Sequence, residues 1–196
     1  YDINFYDLNK SNISKIIYGK NFLKHPYYKK FINENYKFLT FKYKAIEQKN
    51  LKHKYFISPK NLKKIKQIKK LSNLASFHTR NVPHKAHQWI HDYLYKKYGA
   101  LLIQPLLGQY KKGEYKDDLI LKTNKLAAKK FKSKKVFSIP FFSYPRYGGY
   151  REAALHALVR RNYGCSHFWI GRDHAGYKDF YNEKKSQIFC YKNQKK

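Results

Sequence analysis

The chain has 196 residues, 42% of them hydrophobic, so it can form one well-packed core, or one domain and part of another. Its apolar runs all fall short of the ~18–20 residues that a membrane-spanning helix needs, and no signal-peptide pattern opens it. Two cysteines, Cys165 and Cys190, are too few for a disulfide framework. These features exclude membrane-spanning and disulfide-stapled classes, and we expect a cytoplasmic globular protein.

The formal net charge of +31 has two explanations. Dense lysine attracts nucleic-acid backbones, which makes a basic nucleic-acid-binding protein one interpretation. However, the lysines are spread along the whole chain and accompany many Asn, Ile, Tyr and Phe residues, whose codons are A/T-rich. A low-GC genome would produce this composition whatever the function, whereas dedicated binders cluster their basic residues. We favour the compositional explanation, and in either case the charge would concentrate anionic ligands.

Residues 1–56 are rich in Tyr, Phe, Lys and Asn, and their short apolar patches favour short strands connected by helical turns. They contain no catalytic motif. Because the sequence has no Met and both ends lack a terminal motif, we expect a fragment of a longer protein. Ser58 as a cap and Pro59 at the first helical position then predict a Lys-rich helix that runs to about Lys70.

From Leu74 onward, short apolar runs alternate with helical periodicity. The predicted strands are 74–77, 100–107, 136–142 and 167–170. The predicted helices are 84–98, ended by Gly99, then 119–131, and 151–163, ended by Gly164. Strands and helices in this alternation need right-handed crossovers, which predicts a parallel α/β sheet covered on both faces. Ligands bind such sheets at the carboxyl ends of the strands, so polar strand-to-helix junctions are the candidate sites.

The first polar junction runs from Phe77 to His87, where a predicted strand leads directly into a helix. Asn81 is placed to cap that helix, and Pro83 suits its first turn. Free backbone N–H groups would then point at the strand end. A helix start of this kind is a ready anion site.

Three side chains of this junction add donors. Arg80 carries a planar fork that suits sulfate or phosphate. His84 and His87 lie three residues apart, so both project from one side of the first helical turn and can donate to phosphate oxygens. Two other interpretations stay open: a helix cap with two surface histidines, and a zinc site. The zinc interpretation is weaker, because His-x-x-His lacks the Glu of metalloprotease helices and no third ligand is evident.

The second polar junction, Gly171 to Gly176, reads Gly-Arg-Asp-His-Ala-Gly and follows the last predicted strand. Its glycines permit tight turns and a close approach of the backbone to a ligand. Arg172 and His174 are donors, and Asp173 can accept from a ribose hydroxyl or orient a neighbour. A charged surface turn is the alternative interpretation.

Together the two junctions resemble the signature of the ATP sulfurylase (sulfate adenylyltransferase) family. That family carries Gln-Thr-Arg-Asn with a following His-x-x-His, then an Arg-Glu-Ala helix, and finally Gly-Arg-Asp-His-Ala-Gly. The resemblance covers about residues 58–181, and its order and spacing are far more specific than any single motif. The matching segments are 79–81, 84 and 87, 104–108, 146–153, 156–168 and 171–176.

The resemblance implies that sulfate attacks the α-phosphorus of ATP, giving adenylyl sulfate and pyrophosphate, with Mg²⁺ entering as Mg-ATP and no metal held by these residues. The catalytic residues would be Thr79, Arg80 and Asn81, and the residues stabilising the transition state would be His84 and His87. The ATP-binding residues would be His78, Thr79, Arg80, Asn81, Gly171, Arg172, Asp173 and His174. The sulfate-binding residues would be His78, Arg80 and Ala175, the last through its backbone.

The resemblance also implies a Rossmann-like parallel sheet of the nucleotidylyltransferase type, preceded by part of a small β-rich PUA-like domain. Residues 1–56 would be the C-terminal part of that PUA-like domain. Residues 57–196 would be the catalytic domain, truncated at its C-terminal end. The full-length protein is expected to be a homo-oligomer that binds ATP and sulfate, without a membrane or nucleic-acid partner.

Four positions depart from the family pattern. His78 replaces the Gln that helps bind sulfate and ATP, the Pro stands at 83 instead of 82, Gln88 replaces a Glu, and Tyr150 replaces a Pro. None of these changes removes a charge from the expected phosphate site. Three alternatives remain: a nucleotidylyltransferase with His-x-x-His and a different acceptor, a basic nucleic-acid-binding protein, and an inactive relative.

Overall fold

The computed structural model of the chain describes residues 3–34, 38–42, 55–108, 113 and 115–194. The strands are β1 (Ile3–Tyr6), β2 (Phe38–Phe41), β3 (Ala75–Thr79), β4 (Leu101–Gly108), β5 (Val136–Ser138), β6 (Phe141–Ser143) and β7 (His167–Trp169). The α-helices are α1 (Lys10–Tyr18), α2 (Pro26–Asn33), α3 (Pro59–Ile68), α4 (Lys85–Tyr98), α5 (Asp117–Lys129), α6 (Tyr150–Asn162) and α7 (Lys185–Lys192). Across these ranges, no helix combines the length and apolarity that crossing a membrane would require.

The main sheet is parallel, as the alternating pattern predicts. In the described part of the chain its strands are ordered β5-β4-β3-β7, and β6 also pairs with β4. Strand β3 runs beside β4 from Ala75 opposite Leu101 to Thr79 opposite Pro105. The central strand β4 is buried at every position except Gly108, as expected for a strand covered on both faces. The predicted parallel α/β fold is confirmed.

Separate apolar clusters cover the two faces of the sheet. One contains Leu62 of α3, Leu74 and Leu102, with Ile139 and Tyr163 packed beside them. The other is built from residues such as Ala75, Phe77, Leu94, Leu101 and Ile103. Neighbouring residues of β4 enter opposite clusters because successive side chains of a strand point to opposite faces. The helices are therefore held on both faces, and the carboxyl ends of the strands are left free to form a site.

The prediction of one continuous strand over 136–142 is wrong. It is divided into β5 and β6, and each pairs in parallel with β4. Pro140 lies between them and has no N–H to donate to a ladder, which is a sufficient reason for the interruption. Ile139 still donates its N–H to the carbonyl of Ile103 at 3.1 Å, so the chain stays beside β4 across the gap.

Helix ends follow the predicted signals with one exception. Ser58 Oγ accepts from the N–H of Asn61 at 3.3 Å, and Gly99 ends α4 with a left-handed φ of 76°. The predicted cap at Asn81 is wrong, because α4 begins at Lys85 and its N-cap residue is His84, with no side-chain cap hydrogen bond. The Asn81 N–H instead donates to Thr79 Oγ1 at 3.0 Å, which holds Asn81 in the turn that follows β3.

The N-terminal segment packs against the loop before α6. Strands β1 and β2 pair in antiparallel fashion, and α1 and α2 lie between them in sequence. His25 is fully buried; its Nδ1 accepts from the N–H of Tyr27 at 3.2 Å, so its Nε2 donates to the carbonyl of Tyr147 at 3.1 Å. This mixture of short strands and helices matches the prediction for residues 1–56, of which 43–54 lie outside the described residues. The assignment of this segment to a PUA-like domain stays a prediction.

His91 on α4 makes the free energy of unfolding depend on pH. It is fully buried against Phe77, its ring nitrogens have no hydrogen-bond partner among the described residues, and burial lowers its pKa to about 4. Between pH ~6.5 and ~4 the unfolded chain therefore binds a proton that the folded chain does not, so this contribution to stability is lost as the pH falls.

We expect His91→Leu to keep or raise the unfolding free energy at pH 7, because an apolar side chain of similar size replaces an unsatisfied polar one. Relative to wild type, it should gain a further ~2 kcal/mol on going from pH 7 to pH 5, by proton linkage at ~1.4 kcal/mol per pH unit below 6.5. Urea denaturation at both pH values measures this difference. Equal losses in the two proteins would show that His91 is not the group responsible.

Candidate active site

Both polar junctions line one pocket at the carboxyl ends of β3, β4 and β7. The pocket has a volume of about 380 Å³. The first junction contributes Phe77, His78, Thr79, Arg80, Asn81 and His87, and the second contributes Gly171, Asp173, His174, Ala175 and Gly176. Between them, the loop before α6 and α6 itself contribute Pro145, Tyr147, Glu152 and His156. Junctions about ninety residues apart in sequence thus meet around one cavity, where the topology of a parallel sheet places ligands.

Two of the site residues predicted from the sequence, His84 and Arg172, do not line this pocket. His84 stacks on His87 with the ring centroids 3.9 Å apart, and only His87 reaches the wall. Arg172 points to the surface, where its Nε lies 3.1 Å from a carboxylate oxygen of Glu183 and its side chain is 73% exposed. The sequence pattern placed Arg172 in the turn correctly, but it carried no information on the direction of the side chain.

Arg80 is held in the pocket wall by Tyr147. The guanidinium lies 4.8 Å above the Tyr147 ring, and Nη1 donates to the Tyr147 hydroxyl. Tyr147 itself is buried and has a φ of 57°, an unusual backbone conformation for a bulky residue. Such conformations persist where the surroundings enforce them, and they concentrate at functional sites. Sequence reasoning missed this residue, although it lies in the matching segment 146–153.

Glu152 shapes the loop that carries Tyr147. Its carboxylate oxygens accept backbone N–H groups of Arg146 at 3.1 Å and Gly148 at 2.8 Å, so it spans the loop from its position on α6. Burial raises the pKa of the Glu152 carboxyl, and the hydrogen bonds from Gly148 and Arg146 oppose that shift. Glu152 thus positions Tyr147, which in turn holds Arg80.

Three histidines form a cluster at the pocket wall: His78, His156 and His174. The ring centroids of His78 and His156 are 4.4 Å apart, and His156 Nδ1 lies 2.9 Å from His174 Nε2. Burial lowers the pKa of His156 to about 2 and of His174 to about 4, and it also lowers the pKa of His78. All three are therefore neutral at neutral pH, and each offers a single N–H. One ring nitrogen from each lies within 4.8 Å of the others, which is close enough to consider a metal ion.

Behind the cluster lies Arg160, which sequence reasoning also missed. It is fully buried, its Nη1 donates to the carbonyl of His156 at 3.1 Å, and its Nη2 contacts His78 Nδ1. The guanidinium lies over the rings of Phe141 and Phe168, at 4.8 and 5.3 Å. Burial lowers the pKa of Arg160 to about 9, so it stays charged at neutral pH. No described residue forms an ion pair with it.

His87 and Cys165 have restricted chemistry. Burial lowers the pKa of His87 to about 4, so at neutral pH it can donate one hydrogen bond to an anion but brings no positive charge. Burial raises the pKa of the Cys165 thiol to about 11, which disfavours at neutral pH the thiolate that a nucleophile needs.

The Gly171–Gly176 turn depends on a glycine at its end. A Cβ on Gly176 would lie 1.7 Å from Oδ1 of Asp173, so the Asp173 carboxylate occupies the space that a side chain would need. We expect Gly176→Ala to lower the unfolding free energy by ~1–3 kcal/mol through overpacking. In an Asp173→Ala background the same change should cost little, because the obstructing carboxylate is gone. Thermal and urea denaturation of the four proteins of this cycle would test the coupling, and equal costs in both backgrounds would contradict it.

The fold and this pocket define a parallel α/β domain of the nucleotidylyltransferase type, with a cavity at the carboxyl ends of its strands that is lined by Arg80 and four histidines. The family model described as ATP-sulfurylase matches residues 53–196. The chain belongs to the ATP-sulfurylase family.

Two relatives that the chain matches are named sulfate adenylyltransferase. The chain is 36% identical over 129 residues to the sulfate adenylyltransferase of Thermococcus onnurineus, covering 65% of this chain and 34% of that protein. It is 38% identical over 135 residues to the sulfate adenylyltransferase of Trichodesmium erythraeum, covering 68% and 35%. The chain thus spans about a third of the length of these relatives. A hexameric APS kinase from Thiobacillus denitrificans has a TM-score of 0.49 and 16% identity over 74% of this chain and 28% of its own.

Proposed function

We propose that this chain carries the ATP- and sulfate-binding pocket of a sulfate adenylyltransferase, which converts ATP and sulfate to adenylyl sulfate and pyrophosphate. The observation that carries the proposal is the convergence of both motif junctions on one pocket, with Arg80 fixed in its wall by Tyr147. Membership of the family and two relatives with that name support it. The match covers about a third of the length of these relatives, so the activity of a whole sulfate adenylyltransferase is a proposal for this chain.

The reaction needs no covalent intermediate with the protein. A sulfate oxygen attacks the α-phosphorus in line and pyrophosphate leaves, so catalysis depends on holding two mutually repelling anions together and on neutralising charge in the transition state. Mg²⁺ enters with the substrate as Mg-ATP, coordinated mainly by phosphate oxygens. The net charge of +31 favours the approach of both anions.

Sulfate is proposed to lie against Arg80, His78 and the backbone of Ala175. Arg80 supplies a positive charge and a fork of donors. Ala175 has a φ of 58° and its carbonyl accepts from the N–H of Gly149 at 2.9 Å, which fixes the orientation of the peptide that joins it to Gly176. Thr79 and Asn81 complete the catalytic trio, and the Thr79 hydroxyl is already engaged by the N–H of Asn81.

ATP is proposed to lie along the second junction, against Gly171, Asp173 and His174. His87 lines the same pocket and would donate to a phosphate oxygen, with His84 stacked behind it. Arg172 would contribute only after exchanging Glu183 for a phosphate. That exchange is inexpensive, because exposed ion pairs contribute ~0–1 kcal/mol.

Pyrophosphate release from ATP, measured with and without sulfate, tests the proposal directly. The expected result is release that depends on sulfate and also proceeds with molybdate, a tetrahedral dianion of similar shape. Pyrophosphate release that does not depend on sulfate or molybdate, or that requires a different acceptor, would point to another nucleotidylyltransferase. Binding of RNA or DNA that survives high salt, without any pyrophosphate release, would favour the nucleic-acid alternative.

A further inference from the structure

The contact between Arg160 and His78 determines which ring nitrogen of His78 carries the proton. Nη2 of Arg160 faces Nδ1 of His78 within hydrogen-bonding distance. A guanidinium has donors only and cannot accept a hydrogen bond, so Nδ1 must be the acceptor and carry no proton. A neutral imidazole has one N–H, which is therefore on Nε2.

The surroundings of His78 also keep it neutral. The charged groups around it are the guanidiniums of Arg160 and Arg80, and its titratable neighbours are His156 and His174. Burial and these positive charges hold the pKa of His78 well below its usual value. The imidazolium form, which would put a proton on Nδ1 against Arg160, is thereby disfavoured.

We propose that Arg160 is a positioning residue that fixes His78 as its Nε2–H tautomer, so that His78 presents a single N–H donor to an oxyanion bound in the pocket. This inference rests on the proposed function for the identity of the anion. It explains how an imidazole can stand where the family motif has an amide, since the fixed tautomer offers the N–H that an amide would offer. Arg160 does not line the pocket and acts through His78.

The same contact argues against a metal ion at the three-histidine cluster. The ligand atoms of His78, His156 and His174 lie within 4.8 Å of one another, a spacing that suits metal ligation. However, a metal on Nδ1 of His78 would compete with Arg160 for the same lone pair, and a metal on Nε2 would displace the proton that the Arg160 contact keeps there. A buried guanidinium beside the cluster would also repel a divalent cation.

The tautomer can be read without substrate. Imidazole ¹⁵N chemical shifts of the wild-type protein at pH 7 distinguish a protonated from an unprotonated ring nitrogen, and the His78 signals are assigned by their loss in His78→Gln. We expect a protonated Nε2 and an unprotonated Nδ1. A proton on Nδ1, a charged ring or an averaged pair of signals would overturn the proposal. Because no reaction is involved, this result is independent of whether the protein makes adenylyl sulfate.

A double-mutant cycle tests the consequence for the site. Arg160→Met removes the donors but keeps an apolar stem, and should mix the two His78 tautomers. An even mixture would raise the KM for sulfate about twofold, because only half of the molecules then present the N–H. In a His78→Gln background, where an amide needs no tautomer control, the same change should have little effect on that KM. Equal losses in both backgrounds would mean that Arg160 acts independently of His78 and would overturn the proposal.

Two further measurements complete the design. Arg160→Lys keeps a positive donor and should preserve the wild-type ¹⁵N pattern, whereas loss of the pattern in this variant would contradict the mechanism. If Arg160→Met fails to fold, the ¹⁵N spectra of the wild type and of Arg160→Lys still test the proposed tautomer. Titration with Zn²⁺ should give no tight stoichiometric binding; tight binding that disappears in His78→Gln would assign the cluster to a metal instead.

Discussion

Arg80→Ala should lower sulfate-dependent pyrophosphate release by ~10²–10³-fold, the cost typical of removing one donor that stabilises developing charge. Arg80 is the part of the first junction that lies in the pocket wall beside Tyr147, which holds it there. Its loss leaves sulfate without the guanidinium proposed to offset its charge. Steady-state pyrophosphate release by the protein, at saturating ATP and varied sulfate, measures the effect.

Two variants bracket this result. Arg161→Ala removes an exposed arginine on α6 outside the pocket lining and should leave the rate nearly unchanged. Tyr147→Phe keeps the ring beneath the guanidinium but removes the hydroxyl that Nη1 donates to, and should give an intermediate loss. Near-normal activity of Arg80→Ala would refute its assignment to sulfate.

Glu152→Ala should lower the free energy of unfolding by ~3–5 kcal/mol, because it removes a carboxylate that accepts from two backbone donors, one of them buried. The N–H groups of Arg146 and Gly148 would lose their partner, and at buried Gly148 water has poor access to replace it. Since the same loop carries Tyr147, the variant should also loosen Arg80 and reduce pyrophosphate release in the fraction that folds. Urea denaturation gives the stability, and the assay is run below the transition.

Glu183→Ala is the matched control for Glu152→Ala. It removes a carboxylate that is 62% exposed and pairs with Arg172 at the surface, a type of contact worth ~0–1 kcal/mol. Glu152→Gln should fall between wild type and Glu152→Ala, because an amide has one acceptor oxygen for two backbone donors. A loss below ~1 kcal/mol for Glu152→Ala would mean that these hydrogen bonds do not stabilise the loop.

Most of the sheet and helix order could be predicted from the sequence. Apolar runs alternating with helical periodicity were enough to place β3, β4, β7, α4, α5 and α6 and to make the sheet parallel. Local signals succeeded where they act through neighbours in sequence, as at Ser58, whose hydroxyl caps α3, and Gly99, which ends α4. They failed at Asn81, whose side chain does not cap α4. Its backbone is instead held in the turn after β3, where its N–H donates to Thr79 and its carbonyl accepts from Asn124.

The candidate site, too, was predicted from the sequence only in part. The motifs identified residues of both junctions, and the carboxyl-end rule for parallel sheets predicted that such junctions lie at the ligand-binding edge. The sequence did not indicate that Arg172 would turn to Glu183, because a motif specifies position and spacing but not side-chain direction. It also gave no signal for Tyr147 holding Arg80.

By itself, the sequence determined the strand and helix alternation, the two polar junctions and membership of a family with recognisable motif order. Only the tertiary structure decided that His78, His156 and His174 meet in one cluster and that Arg160 is buried behind them. The physical reason is range. Periodicity and capping depend on residues a few positions apart, whereas the direction, burial and protonation of these side chains depend on contacts between residues 18 and 82 positions apart in sequence.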